Sequence, residues 1–591
     1  MSNPPSDLPA DRTPPSADSL PAARPGYVRL FQPLPQNHRV VDQLRAIFIA
    51  QQDAAQRLDR VRQYLRLEPA CAEAHCDLGH GLRLQDKFEE AAAAFREALA
   101  LRPDFVEALC ALAEVLATQN KLDEAVVAYR QAIAFQPDLA EAFFNLGNVL
   151  CRQKDLYDRT IAYRYERPLP PDFAASLQRL DAVFAQTDKL AEAVAAYWQA
   201  LALQPDHVGA LCALANALQA QDKPNQAATA YRRAIALQPN DAVAHCNLGM
   251  ALQAQNKLEE ALAAYRQAAV LTRDDPQVQL NEAVALLTTG QLRTGWPKYE
   301  YRWCQALREK QRHFAQPLWR GETDLRGRTI LLHAEQGLGD ALQLVRYAPL
   351  VAARGATVYL EVPPTLQALC ASLPGIAAVF AAGSTLPPFE MHCPLMSLPL
   401  AFGTELDSIP ATVPYLQAPA ERRQRWAATL APTAGPRIGV VWSGGWYHPN
   451  RRHRNIPLAT FQALFDLPVG HFFVLQKQVK PEEAAQLVAF SGVTDLSAQL
   501  HDFADTAAVV ANLDLVISAD TSVAHLAGAL GRPTWILLPY AAEWRWLIGR
   551  EDSPWYPTAR LFRQPAIGDW PAVFARLRTE LARFRGGVSA D

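Results

Sequence analysis

Two hydrophobic rhythms divide the chain. From about residue 37 to residue 309, apolar positions return every 34 residues. One ladder is Leu78, Leu112, Leu146, Leu180, Leu214 and Leu248; a second is Phe95, Tyr129, Tyr163, Tyr197, Tyr231, Tyr265 and Tyr299; prolines at 69, 103, 137, 171, 205 and 239 close each unit. Three ladders at one period predict stacked helix pairs, each burying its apolar face against the next. Beyond residue 325 the rhythm becomes short apolar runs stopped by Gly, Ser or Asp and followed by helical faces. Runs at 328–335, 356–362, 377–381, 438–442, 471–475, 515–517 and 535–538, with MHCPLMSLPLAFG as a further strand and its loop, predict two parallel α/β layers.

Within the array, Cys76, Cys110, Cys212 and Cys246 share one rung, which reads as a small core position rather than a ligand set. The unit from Ala140 to Phe173 departs from its neighbours. Arg159 stands where they carry Ala, and ERPLPPDF forbids a complete second helix, so the superhelix is expected to bend or break there. At its other end the array changes to GWPKYEYRW, where Trp296, Tyr301 and Trp303 add bulk that fits a cap packed on the following domain.

The chemistry gathers at strand ends. Asp514 to Pro539 reads as strand, turn, helix, strand, and puts Asp520, Thr521, Ser522 and His525 at the carboxyl edge of a layer, where such sheets bind ligands. A helix start at 521–523 offers unpaired N–H groups to a diphosphate. Equally, Asp520 reads as a helix cap and His525 as a core histidine. The strand from Ile438 delivers Ser443 and Gly444 to the same edge, followed by a basic loop at 448–454; the strand from His471 ends in Gln476 and Lys477. In the first layer, Gly337 and Gly339 make a tight turn with Asp340 at a helix mouth, again either a functional carboxylate or a cap. The three spaced glycines of a dinucleotide fingerprint are missing, which disfavours NAD chemistry. Glu543, Trp544, Trp546, Trp555 and Tyr556 read first as packing for a terminal helix, Trp570 to Phe584, with stacking on a donor base or framing of an acceptor as the alternative.

Composition narrows the reading further. Lys+Arg 57 against Asp+Glu 60 offers no polyanion surface, so nucleic acid is not expected as a partner. Nine cysteines without metal-ligand spacing fit a reducing, cytoplasmic compartment. Residues 1–36 are rich in Pro, Ser and Asp and read as a disordered tail, and no run reaches membrane-spanning length.

Residues 37–309 resemble the tetratricopeptide family, which implies a protein partner in a concave groove. GLGDALQLVRYAPL and DLVISADTSVAHLAGALGRPTWILL resemble the two signature regions of heptosyltransferase-like glycosyltransferases, which have the GT-B fold. The order of the two parts is similar to bacterial protein glycosyltransferases, flagellin-modifying ones included, and more distantly to O-GlcNAc transferases. The expected architecture is therefore an α-solenoid followed by an α/β GT-B module of two Rossmann-like lobes, at 310–425 on the acceptor side and 426–591 on the donor side. The resemblance implies that Asp340 is the catalytic base, that Lys477 meets the donor diphosphate, and that Asp520, Thr521 and His525 bind sugar and phosphate. Ser522 stands where the family often has glycine. The expected activity is inverting, metal-independent transfer from a nucleotide sugar, without a cofactor, to a protein hydroxyl. The rivals are a non-catalytic scaffold and a transferase for a surface glycan.

Overall fold

The computed structural model describes residues 54–166, 188–273, 275–304, 311–430, 435–444 and 451–584. The chain divides into two compact units, Met1–Glu124 and Ala125–Asp591. In the first, helices Ala54–Leu67, Ala72–Arg83, Phe88–Leu101 and Val106–Thr118 alternate with short turns. Phe95 is fully buried over Gly79, where a Cβ would lie 2.6 Å from the ring. That glycine is what allows the two helices of a pair to approach.

The second unit repeats the device with Tyr265 over Gly249, and there the chain turns between paired helices at Asp222, Asn256 and Gly290, all with positive φ. Asp86 and Asn120 hold the same rung in the first unit. Lys154 occupies that rung in the aberrant unit. A lysine pays the Cβ cost of the left-handed conformation without the local hydrogen bonding of Asn or Asp, and the helix runs straight through, from Ala140 to Glu166. The departure therefore begins at the missing turn, ahead of the prolines of ERPLPPDF, which lie outside the described residues together with Leu180. Gly147 on this long helix receives the ring of Tyr197, one repeat further along than the regular pairing, with a Cβ contact of 2.5 Å. The Tyr197 hydroxyl donates to Asn148 Oδ1 at 2.9 Å. Helix Lys189–Leu203 thus packs on Ala140–Glu166 as the second helix of that unit.

The α/β part holds two wholly parallel sheets. The first has order β3-β2-β1-β4, with β1 Thr329–His333, β2 Thr357–Val362, β3 Ile376–Ala381 and β4 Met391–Pro394. The second has order β10-β9-β8-β5-β6-β7, with β5 Arg437–Val441, β6 His471–Val474, β7 Val493–Asp495, β8 Leu515–Ala519, β9 Thr534–Leu538 and β10 Ala559–Arg563. The helix after the Gly-Asp turn spans only Leu338–Leu344, then tightens to a 3₁₀ turn before Ala348–Ala353, because Pro349 cannot donate within one continuous helix.

One apolar core runs from the last repeat (Leu287, Trp296, Tyr299) through the first sheet (Ile330, Leu360) into one face of the second (Val516, Ile536). The other face of the second sheet has its own core with Trp570, Phe574 and Leu577. Helix Trp570–Arg583 therefore stays on the second lobe and packs on helix Leu458–Phe465 and β10. Among the described residues its core contacts are those of the second lobe, and Trp544, Trp546 and Tyr556 belong to the other core. Among the described residues no helix is long and apolar enough to cross a membrane.

Candidate functional site

At the carboxyl edge of the second sheet, β6, β5 and β8 end side by side. β8 is buried along its length, so the chain leaves it at Asp520 still inside the protein, with 1% of that residue exposed. Thr521 is extended (φ −135, ψ 172) and begins helix Ser522–Ala529 without a side-chain capping bond; its hydroxyl pairs with Ser518 Oγ at 3.1 Å. The N–H groups of the first turn therefore remain at the edge. Ser522 is half-buried.

The Asp520 carboxylate is buried beside the indole N–H of Trp546, which favours its ionised form as a donor does, although among the described residues the two do not close to full hydrogen-bond geometry. Burial raises the Asp520 carboxyl above its ordinary range; Arg454, whose Nε lies 3.7 Å from Oδ2, opposes that, and Glu543 adds to it. Arg454 also donates to the Asp520 carbonyl.

The neighbouring strand ends are tied to one another. Gln476 Oε1 accepts from the backbone N–H of Ser443 at 2.9 Å and of Trp442 at 3.3 Å, while its Nε2 donates to Gln478 O at 2.9 Å. Gly444 N–H donates to Asn455 Oδ1 at 3.0 Å, and a Cβ at Gly444 would lie 3.5 Å from Thr521. Lys477 is exposed, and its ammonium donates to Leu500 O at 2.6 Å and Ser497 O at 3.2 Å. The structure thus gives Lys477 backbone partners rather than a place beside Asp520, and Gln476 a role joining β5 to β6. From the basic loop, Arg454 reaches Asp520.

The first lobe meets this edge through its glycine turn. Gly337 N–H donates to Asp340 Oδ2 at 2.9 Å, so the capping reading of Asp340 describes one of its oxygens. Gly339 faces His525; a Cβ there would come within 2.8 Å of the imidazole, so only glycine permits this approach. The other oxygen, Oδ1, accepts from Arg545 of the second lobe. Arg545 also donates to Glu543 Oε2 at 3.0 Å and to Gln343 Oε1 at 2.9 Å, and Asp340, Glu543 and Asp520 together hold it as a cation despite its burial. His525 is buried, stacked on Trp546 with centroids 5.3 Å apart, and its Nδ1 pairs with Tyr556 OH at 2.9 Å. Burial and the nearby arginines push its pKa well below the ordinary value, so it is neutral.

Asp340, Asp520, Thr521, Ser522 and His525 are therefore brought to one junction between the lobes. Glu543, Trp546 and Tyr556, whose sequence reads mainly as packing, belong to it too, as does Arg545, which the sequence did not single out. The available signal is the order Glu-Trp-Arg-Trp shortly after a strand, an ion pair framed by aromatics.

Comparisons with known proteins bear on the chain part by part. Residues 79–120 and 115–154 match the model of the TPR repeat, and 212–278 and 246–292 that of the tetratricopeptide repeat. Residues 471–545 match glycosyltransferase family 9 (heptosyltransferase), a span that runs from β6 to Arg545. Protein FlbA of Caulobacter vibrioides is 29% identical over 330 residues, covering 50% of this chain and 54% of that protein, so the chain spans about half the length of the curated relative it matches. Among solved structures, MamA aligns with 34% of this chain and 92% of its own at 18% identity and a TM-score of 0.27. YrrB, a TPR protein, aligns with 37% and 95% at 16% and 0.29, and pilF of Pseudomonas aeruginosa with 39% and 89% at 20% and 0.30. The chain carries tetratricopeptide repeats followed by a C-terminal glycosyltransferase family 9 domain of GT-B type.

Proposed function

Starting from a repeat array joined to a glycosyltransferase domain, we propose that the protein transfers a sugar, with inversion, from a nucleoside-diphosphate sugar to a hydroxyl of a protein that the repeats recruit. The observation that carries this reading is the ion pair of Asp340 with Arg545, set beside a buried Asp520 whose neighbouring donors, the Trp546 indole and the Arg454 guanidinium 3.7 Å away, stop short of full hydrogen bonds. A buried carboxylate so thinly supplied with donors is costly, and hydroxyls of a bound sugar supply donors of the right kind.

In the reaction, the acceptor oxygen bonds to the anomeric carbon as the bond from that carbon to the diphosphate oxygen breaks, and the acceptor proton passes to Asp340. A carboxylate is a weak base towards an alcohol, so proton transfer comes late, as the new bond forms, while Arg545 holds Oδ1 in place. The leaving diphosphate gathers negative charge that the helix start at Thr521–Val523 and the guanidinium of Arg454 can meet, which makes the proposed transfer independent of a metal ion. Lys477 is a further cation at this edge; two of its ammonium protons go to the carbonyls of Leu500 and Ser497, which leaves the third for a phosphate oxygen.

The test is a thermal-shift panel of nucleoside-diphosphate sugars, followed by release of nucleoside diphosphate from whichever donor raises the melting point. Asp340→Asn keeps the donor-induced shift and loses turnover by about 10²- to 10⁴-fold. Equal turnover in both proteins removes Asp340 from the mechanism, and turnover abolished by a chelator and restored by Mg²⁺ removes the metal-independent step.

A further inference from the structure

Asp340 is held by two groups, the N–H of Gly337 and the guanidinium of Arg545. The residue before each, Gln336 and Trp544, is gripped by the end of the repeat array. Helix Leu292–Tyr299 and the 3₁₀ turn Glu300–Trp303 close the array. The Tyr299 hydroxyl exchanges hydrogen bonds with the Gln336 amide at 3.3 and 3.5 Å. Trp544 meets the edge of Trp296 at 5.3 Å between centroids and that of Tyr299 at 6.3 Å, and Trp296 Nε1 donates to Thr404 O of the first lobe at 3.0 Å. One residue further back, Glu335 Oε1 accepts from Arg302 at 3.2 Å, and Arg302, 1% exposed, also donates to Ser397 Oγ at 2.7 Å. Tyr299 feels the site directly: burial, and then the charge of Asp340, push its hydroxyl up to about 12.

We propose that the last helix of the repeat array is part of the active centre, with Trp296, Tyr299 and Arg302 acting as positioning residues for Asp340. They set the glycine turn from the first-lobe side and the Arg545 segment from the second-lobe side, so both anchors of the carboxylate share one support. The inference rests on Asp340 as base. It separates this helix from the groove-forming repeats, because its effect is felt even when no protein acceptor is engaged.

The experiment measures donor hydrolysis, with water as acceptor, by the full chain and the nucleotide sugar that gives the largest thermal shift. Tyr299→Phe removes only the hydroxyl, and Arg302→Met is compared with Arg302→Lys. For Tyr299→Phe, kcat falls on the order of tenfold to a hundredfold while KM and donor affinity stay within about twofold, since a misplaced base costs turnover and not binding. Arg302→Lys recovers part of what Arg302→Met loses. If Tyr299→Phe keeps wild-type kcat while Asp340→Asn is inactive, the positioning role is overturned. If Asp340→Asn hydrolyses donor as fast as wild type, the base assignment fails and takes this inference with it.

Discussion

Arg545 and Asp340 belong to different lobes and meet in an ion pair whose side chains are 8% and 20% exposed. Arg545 also binds Glu543. The second lobe thus fixes the direction of a carboxylate that the first lobe presents.

Replacing Arg545 by methionine leaves Asp340 and Glu543 as near neighbours without their cation. Removing one member of a buried pair costs about 3–5 kcal/mol, so the variant melts several degrees below wild type and turns over at least about a hundredfold more slowly. Arg545→Lys keeps the charge but not the three-way fork, and recovers stability better than rate. Scanning calorimetry beside a turnover assay separates the two effects. A methionine variant as stable as wild type would show the pair to be unimportant for holding the lobes.

Asp520 sets stability against binding. Burial lifts its pKa, so its ionised form costs folding energy at neutral pH. Asp520→Asn removes that charge and keeps the shape. It is expected to raise the melting point at pH 7 while weakening nucleotide-sugar binding by about tenfold or more. Titration calorimetry and a melt of the same preparation check both halves, and a lower melting point would mean that the Arg454 contact outweighs the burial.

The repeats were legible because their information is local and redundant: Leu, Tyr and Pro ladders each report the same period. Most strands were legible for a similar reason, since their apolar runs end in a turn residue; the short β7 and the edge strand β10 carry no such run and were not. The site was only half legible. Gly337, Gly339, Asp340, Asp520 and His525 lie in strand–turn–helix units that reveal themselves along the chain. Arg545 acquires its meaning from a partner 205 residues away, and no periodicity links them. Lys477 illustrates the opposite case, in which a strand end places a backbone but the side chain is free to turn, here towards the carbonyls of Ser497 and Leu500. Lys154 was readable and overlooked, because its significance lies in the Asp, Asn and Gly residues that hold the same rung elsewhere.

Glu335 gives a pH signature. Burial raises its carboxyl from 4.5 to about 7, against the opposing pull of Arg302 and the Met396 N–H, with Asp340 adding to the rise. The folded protein holds this proton more tightly than the unfolded chain, so stability from this group falls as pH rises from 4.5 to about 7 and is level beyond, a change on the order of 3 kcal/mol. Glu335→Gln abolishes the dependence. The melting point of the variant minus that of wild type should therefore climb across this window, and a flat difference would show that Glu335 is ionised throughout.

The displaced pairing in the long helix can be tested by coupling. At Gly147 an added methyl would strike the Tyr197 ring at 2.5 Å, so Gly147→Ala alone destabilises the unit by about 1–3 kcal/mol through overpacking. Tyr197→Ala alone loses a nearly fully buried ring, 2% exposed, and its hydrogen bond to Asn148, costing about 3–5 kcal/mol. In the double variant the methyl fills space that the ring has left, and the two costs do not add: a coupling of about 0.5–3 kcal/mol is expected. The regular 34-residue pairing would instead have coupled Gly147 to Tyr163. Gly147→Ala combined with Tyr163→Ala should be additive, and coupling to Tyr163 in place of Tyr197 would restore the regular register that the Lys154 helix is inferred to have replaced.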